Sequence, residues 1–97
     1  MRKVTRQAVQ AFNENRNLSV SNTTVKADST GTYMYLFGNL IARKVGNRVQ
    51  VTLAGYNTNT TKERLNGLAG VSISQANFIP YFNGKEMDLY EWYQVES

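Results

Sequence analysis

The chain has 97 residues, 41% hydrophobic and 11% aromatic, which suits one folded domain with a modest core rather than a disordered tail. Cysteine and histidine are both absent, which removes disulfides, zinc–thiolate sites, thiol nucleophiles and the usual general base together. The formal charge of +4 is uneven: residues 1–50 hold eight basic side chains against two acidic, and residues 51–97 hold three against five.

Val4, Ala8, Ala11 and Phe12 recur at helical spacing and predict an N-terminal amphipathic helix, ringed by Arg2, Lys3, Arg6 and Gln10. The stretch NENRNLS ends it, because Asn and Ser side chains compete for backbone hydrogen bonds. A strand follows in NTTVKA, joined through DSTG to a meander. Gly38-Asn39 separates TYMYLF from LIARKV, and Gly46-Asn47 separates LIARKV from RVQVTL. Read as two-residue hairpin loops, these pair Phe37 with Leu40, Tyr35 with Ala42 and Tyr33 with Lys44, then Lys44 with Val49, Ala42 with Val51 and Leu40 with Leu53. Paired residues share a face. One face then carries Tyr33, Tyr35, Phe37, Leu40, Ala42, Val49, Val51 and Leu53, with Lys44 as its only charge. The other carries Met34, Leu36, Ile41, Arg43, Val45, Arg48, Gln50 and Thr52. That second face is too apolar to stand bare. The N-terminal helix, the C-terminal hairpin, a partner protein or a second copy of this chain must cover it.

Further along, TNTTKERLNGLAG predicts a short second helix at 61–69. Thr60 stands at its N-cap with Glu63 reaching back, Leu65 and Leu68 face the core, and Gly70 stops it. VSISQ, NFIPYF and KEMDLYEWYQV then supply strands around an Asn83-Gly84 hairpin. Pro80 has no N–H for a ladder, so its strand belongs at an edge or bulge. The fold expected is α+β: an antiparallel β-meander sheet with an N-terminal helix and a second short helix at 61–69, in a single domain over residues 1–97. No stretch has the length of a signal peptide's apolar run or of a membrane span.

Function is sought in binding. The carboxylates available to a catalytic reading are Glu63, Glu86 and Asp88, and the composition suggests no catalytic residue, cofactor or metal site. The polar run before the second helix exceeds what a cap needs. A helix start offers free N–H groups, and Lys62 and Arg64 add positive charge beside it. Tyr56, Asn57, Thr58, Asn59 and Arg64, with Arg43 and Arg48, are therefore the candidate partner-binding residues. The alternative is a nucleic-acid-binding stripe of Arg2, Lys3, Arg6, Arg43, Lys44 and Arg48, which requires the N-terminal helix to lie near the 45–48 turn. Tyr33 and Tyr35 resemble stacking platforms, but their place on the most apolar face favours core packing.

From YLFGNLIARKVGNRVQVTLAGYNTNTTKERLNGLAGVSISQ, together with YFNGKEMDLYEWYQV, the chain resembles a family of small proteins encoded by tailed bacteriophages. The shared pattern falls on Gly38-Asn39, Ile41-Ala42, Ala54-Gly55-Tyr56, Thr58, Thr60-Thr61, Glu63-Arg64-Leu65-Asn66, Leu68, Gly70-Val71, Asn83-Gly84 and Trp92. Tyr56 stands where the family more often has Trp, and the end, MDLYEWYQVES, is longer. The resemblance brings no catalytic residue. It implies a phage protein in the bacterial host cytoplasm. It also implies a non-enzymatic accessory role, binding and inhibiting a host or anti-phage defence protein in anti-defence or host takeover.

Overall fold

The computed structural model describes residues 2–95; Glu96 and Ser97, at the longer end, lie outside the described residues. Helix α1 (Lys3–Asn13) turns Thr5, Ala8, Ala11 and Phe12 inward and leaves Val4 half-buried. Asn15 ends it in a left-handed conformation (φ 55), and the Arg16 N–H closes on Ala11 O at 2.9 Å. No basic residue occupies its last turn. The cation comes from the sheet instead: Lys44 Nζ donates to Phe12 O at 2.7 Å and to Asn13 O at 3.2 Å, where the helix dipole favours positive charge.

Five strands form the meander: β1 (Leu18–Val20), β2 (Thr23–Ala27), β3 (Thr32–Leu36), β4 (Asn39–Val45) and β5 (Arg48–Val51). After α2 (Asn59–Asn66) come β6 (Ile73–Ala76), β7 (Ile79–Phe82), β8 (Lys85–Glu86) and β9 (Tyr93–Val95). Strand β9 returns to the meander, so the large sheet runs β1-β2-β3-β4-β5-β9, and β6-β7-β8 form a small second sheet. The architecture is the α+β meander with two helices that the residue pattern implies.

The Gly46-Asn47 hairpin has the expected register as far as Val51, with Lys44 opposite Val49 and Ala42 opposite Val51, but β5 ends there and Leu40 does not pair with Leu53. The β3–β4 hairpin does not. Its loop is Phe37-Gly38 rather than Gly38-Asn39, both residues have positive φ (51 and 81), and Leu36 pairs with Asn39. Ile41 is then an extra, bulged residue, beyond which Met34 faces Ala42 and Tyr33 faces Arg43. A one-residue change of register moves every side chain of a strand to the opposite face. Met34 and Leu36 are therefore buried with Val25, Ala42 and Val51, while Tyr33 and Tyr35 share the other face with Arg43 and Gln50. The physical preference is plain. Met and Leu bury without a polar atom to satisfy, whereas a buried tyrosine needs a partner for its hydroxyl.

Helix α1 covers the Met34 face, as the apolar character of that set requires. Leu53, Leu65, Leu68, Val71, Ile73 and Met87 complete the core. The small sheet joins it on the same side, where the Phe82 and Tyr93 rings lie 5.6 Å apart. Pro80 sits in the central strand of that sheet, not at an edge. Its carbonyl accepts from Met87 N–H at 3.0 Å. With no N–H to return that bond, the β7–β8 pairing stops at Glu86.

The two helices approach closely at Gly67. A Cβ there would lie 2.8 Å from both Thr5 Cγ2 and Val9 Cγ2 of α1. Gly67→Ala is expected to lower stability by about 1–2 kcal/mol, overpacking outweighing the entropic gain of losing a glycine. Urea denaturation checks it, and an unchanged or raised midpoint would show that the helices part freely.

Candidate functional site

Helix α2 starts two residues earlier than the capping pattern suggested. Thr58 is the N-cap: its Oγ1 accepts the Thr61 N–H at 3.1 Å and bonds Thr61 Oγ1 at 2.9 Å. Thr60 therefore caps nothing, and Glu63 does not reach back to it. The Glu63 carboxylate accepts from Thr5 Oγ1 at 3.0 Å and pairs with Arg64 at 2.7 Å and Arg2 at 3.2 Å. The helix ends at Asn66, before Gly70, and the Asn66 amide holds both the N–H and the carbonyl of Ile73. Leu65 and Leu68 are buried as expected.

Arg64 is an interior residue, only 2% exposed. Its guanidinium donates to Thr23 Oγ1 (3.0 Å), Thr5 Oγ1 (2.7 Å), Glu63 Oε1 (2.7 Å) and Asn22 Oδ1 (3.3 Å). It ties α2 to α1 and β2 and offers nothing to a partner. Lys62 is also buried, its ammonium donating to Gln75 Oε1. The positive charge expected at the start of α2 is thus turned inward, and the anion-site expectation loses its cations.

The other candidates separate. Tyr56 is 52% exposed, Asn59 is exposed, Thr58 is engaged in its cap, and the Asn57 Oδ1 is buried without a partner. Tyr56, Thr58, Thr60 and Thr61 meet the β3–β4 turn and line a cavity of about 390 Å³ with Leu36, Phe37, Asn39 and Ile41. Leu36 and Ile41 form an apolar floor, the threonines and Asn39 supply polar groups, and Phe37 and Tyr56 stand at the surface. Phe37 is 72% exposed. Tyr90, 75% exposed, lies against the Gly55 backbone beside Tyr56. Sequence reasoning missed Phe37 by assigning it to a strand. The signal was present in the Phe37-Gly38 pair itself, since Gly in the second place of a two-residue loop also satisfies a type I′ turn.

Arg43 and Arg48 lie elsewhere, on the sheet face opposite α1. The six-residue basic stripe does not form. Lys3 and Arg6 project from α1, Arg2 pairs with Glu63, and Lys44 is drawn to the C-terminal end of α1, where burial pulls its ammonium below the ordinary lysine range. Of the catalytic carboxylates considered, Glu63 is held in the Arg64 cluster, and Glu86 and Asp88 are exposed.

A family model described as Kyanoviridae Gp96 protein matches residues 1–96. No curated protein and no solved structure matches the chain.

Proposed function

The chain belongs to the Kyanoviridae Gp96 protein family, a family of phage proteins, and from that premise we propose a non-enzymatic accessory protein that binds a host or anti-phage defence protein in the host cytoplasm and alters its activity. The contact surface is the cavity between the β3–β4 turn and the start of α2. One observation carries this reading: Phe37 is an aromatic residue held in left-handed backbone (φ 51) and exposed to solvent. L-residues with a Cβ pay for that conformation, and Phe37 gains little burial in return. An exposed aromatic beside an apolar cavity is the usual anchor of a protein interface. Tyr56 would close over the same partner side chain, and Asn39 and Thr60 would meet its backbone.

The test is an affinity-tagged pull-down from host lysate, treated with nuclease and read by mass spectrometry. The expected result is one host protein retained by the wild-type chain and lost with Tyr56→Ala, whose exposed ring can be removed without unfolding the domain. No protein retained after nuclease, or a partner that binds Tyr56→Ala equally well, would overturn the assignment of this surface.

A further inference from the structure

Helix α1, α2 and the small sheet all pack on one face of the six-stranded sheet. The opposite face carries Lys26, Tyr33, Tyr35, Arg43 and Arg48 from β2 through β5. Trp92, just before β9, joins them: its ring lies 4.0 Å from the Arg43 guanidinium carbon. The six strands contain no Asp or Glu. Of their four basic residues, only Lys44 turns towards the helix side.

The side chains are ordered by one another. Arg43 Nε donates to Gln50 Oε1 at 2.8 Å while its plane lies over Trp92. Lys26 Nζ stands 5.6 Å from the Tyr35 ring centre. Tyr33 Oη bonds Thr30 Oγ1 at 2.8 Å, which fixes its ring. Aromatic faces interleaved with cations on a sheet match the recurring chemistry of unpaired bases, which stack on rings while phosphates meet Lys and Arg. From β2 to β5 the platform spans three strand spacings, roughly 14 Å, and four-stranded RNA-binding sheets of about that width stack two or three bases. A second copy of this chain would set like charges against each other. Bases in a duplex keep their faces stacked and out of reach.

We propose that this open sheet face binds single-stranded nucleic acid, with bases stacked on Tyr33, Tyr35 and Trp92 and phosphates held by Lys26, Arg43 and Arg48. The surface is distinct from the Phe37–Tyr56 cavity and does not depend on the function assigned there. It also differs from the six-residue stripe read from the sequence, sharing only Arg43 and Arg48 with it.

The experiment is fluorescence anisotropy of the full chain with a labelled oligothymidylate of about twelve nucleotides, titrated from about 50 to 300 mM salt. Three phosphate contacts predict a slope of log K against log salt near about −2. Lys26→Glu with Arg48→Glu, both at exposed positions, weakens binding at least about tenfold and flattens that slope. Tyr35→Leu keeps apolar volume, removes the ring and weakens binding about tenfold with the slope unchanged. The same charge change on α1, Lys3→Glu with Arg6→Glu, leaves affinity within about twofold. Four results would each overturn the proposal: no binding at the lowest salt, equal loss from the α1 reversal, equal competition by duplex, or a sedimenting dimer that the face reversal dissolves.

Discussion

Replacing Arg64 by alanine is expected to destabilise the protein by about 3 kcal/mol, a fall in Tm of roughly 12–24 °C for a chain of this length. The guanidinium makes four hydrogen bonds to Thr23, Thr5, Glu63 and Asn22 at 2% exposure. Truncation takes the charged donor away from the buried Thr5 and Thr23 hydroxyls and leaves the Glu63 carboxylate with only Thr5 and Arg2. The loss stays in the lower part of the range for broken buried pairs, because the Glu63 side chain is 33% exposed and keeps Arg2 at 3.2 Å. Arg64→Lys recovers less than half of it, since one ammonium cannot span acceptors that three guanidinium nitrogens now serve. Arg64→Met combined with Glu63→Gln is better tolerated than Arg64→Ala alone, because no charge is then left uncompensated. Thermal and guanidinium unfolding of the three variants decide the matter. A loss below about 0.5 kcal/mol for Arg64→Ala would mean that water replaces the guanidinium, and that the cluster does not hold the helices to the sheet.

Phe37→Asn is expected to do two opposite things. Stability rises by about 0.5–1.5 kcal/mol, since Asn tolerates the left-handed conformation and Asn-Gly is the favoured type I′ pair. Affinity for the partner falls by about thirtyfold or more, the effect of removing an aromatic anchor worth roughly 2 kcal/mol. Little burial is lost, because the Phe37 ring is 72% exposed. The two effects separate the function from the fold: a residue that costs stability and confers binding is one retained for its contact. A drop in stability of 1 kcal/mol or more would show that the ring packs into the cavity it borders. Unchanged affinity would remove Phe37 from the interface.

Much of the fold was legible locally. The α1 stripe holds at Ala8, Ala11 and Phe12, and the Gly46-Asn47 turn places Lys44 opposite Val49. Both signals act within a few residues. The candidate site was less legible. Tyr56 emerged from its excess of polar neighbours and remains on the surface, whereas Arg64 looked like a surface cation and is buried. A helical Arg and a buried Arg look the same in one dimension; only the positions of Thr5 and Thr23, far away in the chain, give the guanidinium its acceptors.

What the sequence by itself determined is the class of fold, the Gly46-Asn47 and Asn83-Gly84 turns, and the absence of cysteine and histidine chemistry. These follow from local sterics and from composition. The tertiary structure decided the register of β3 against β4, because Phe37-Gly38 and Gly38-Asn39 are both acceptable loops locally and differ by one residue. The choice rested on which side chains could be buried under α1. Met34 and Leu36 go in without unsatisfied polar atoms, so Tyr33 and Tyr35 come out. One bulged residue, Ile41, reconciles that choice with the rest of β4. The same packing preference set an aromatic, basic group of side chains on the sheet face turned away from the helices.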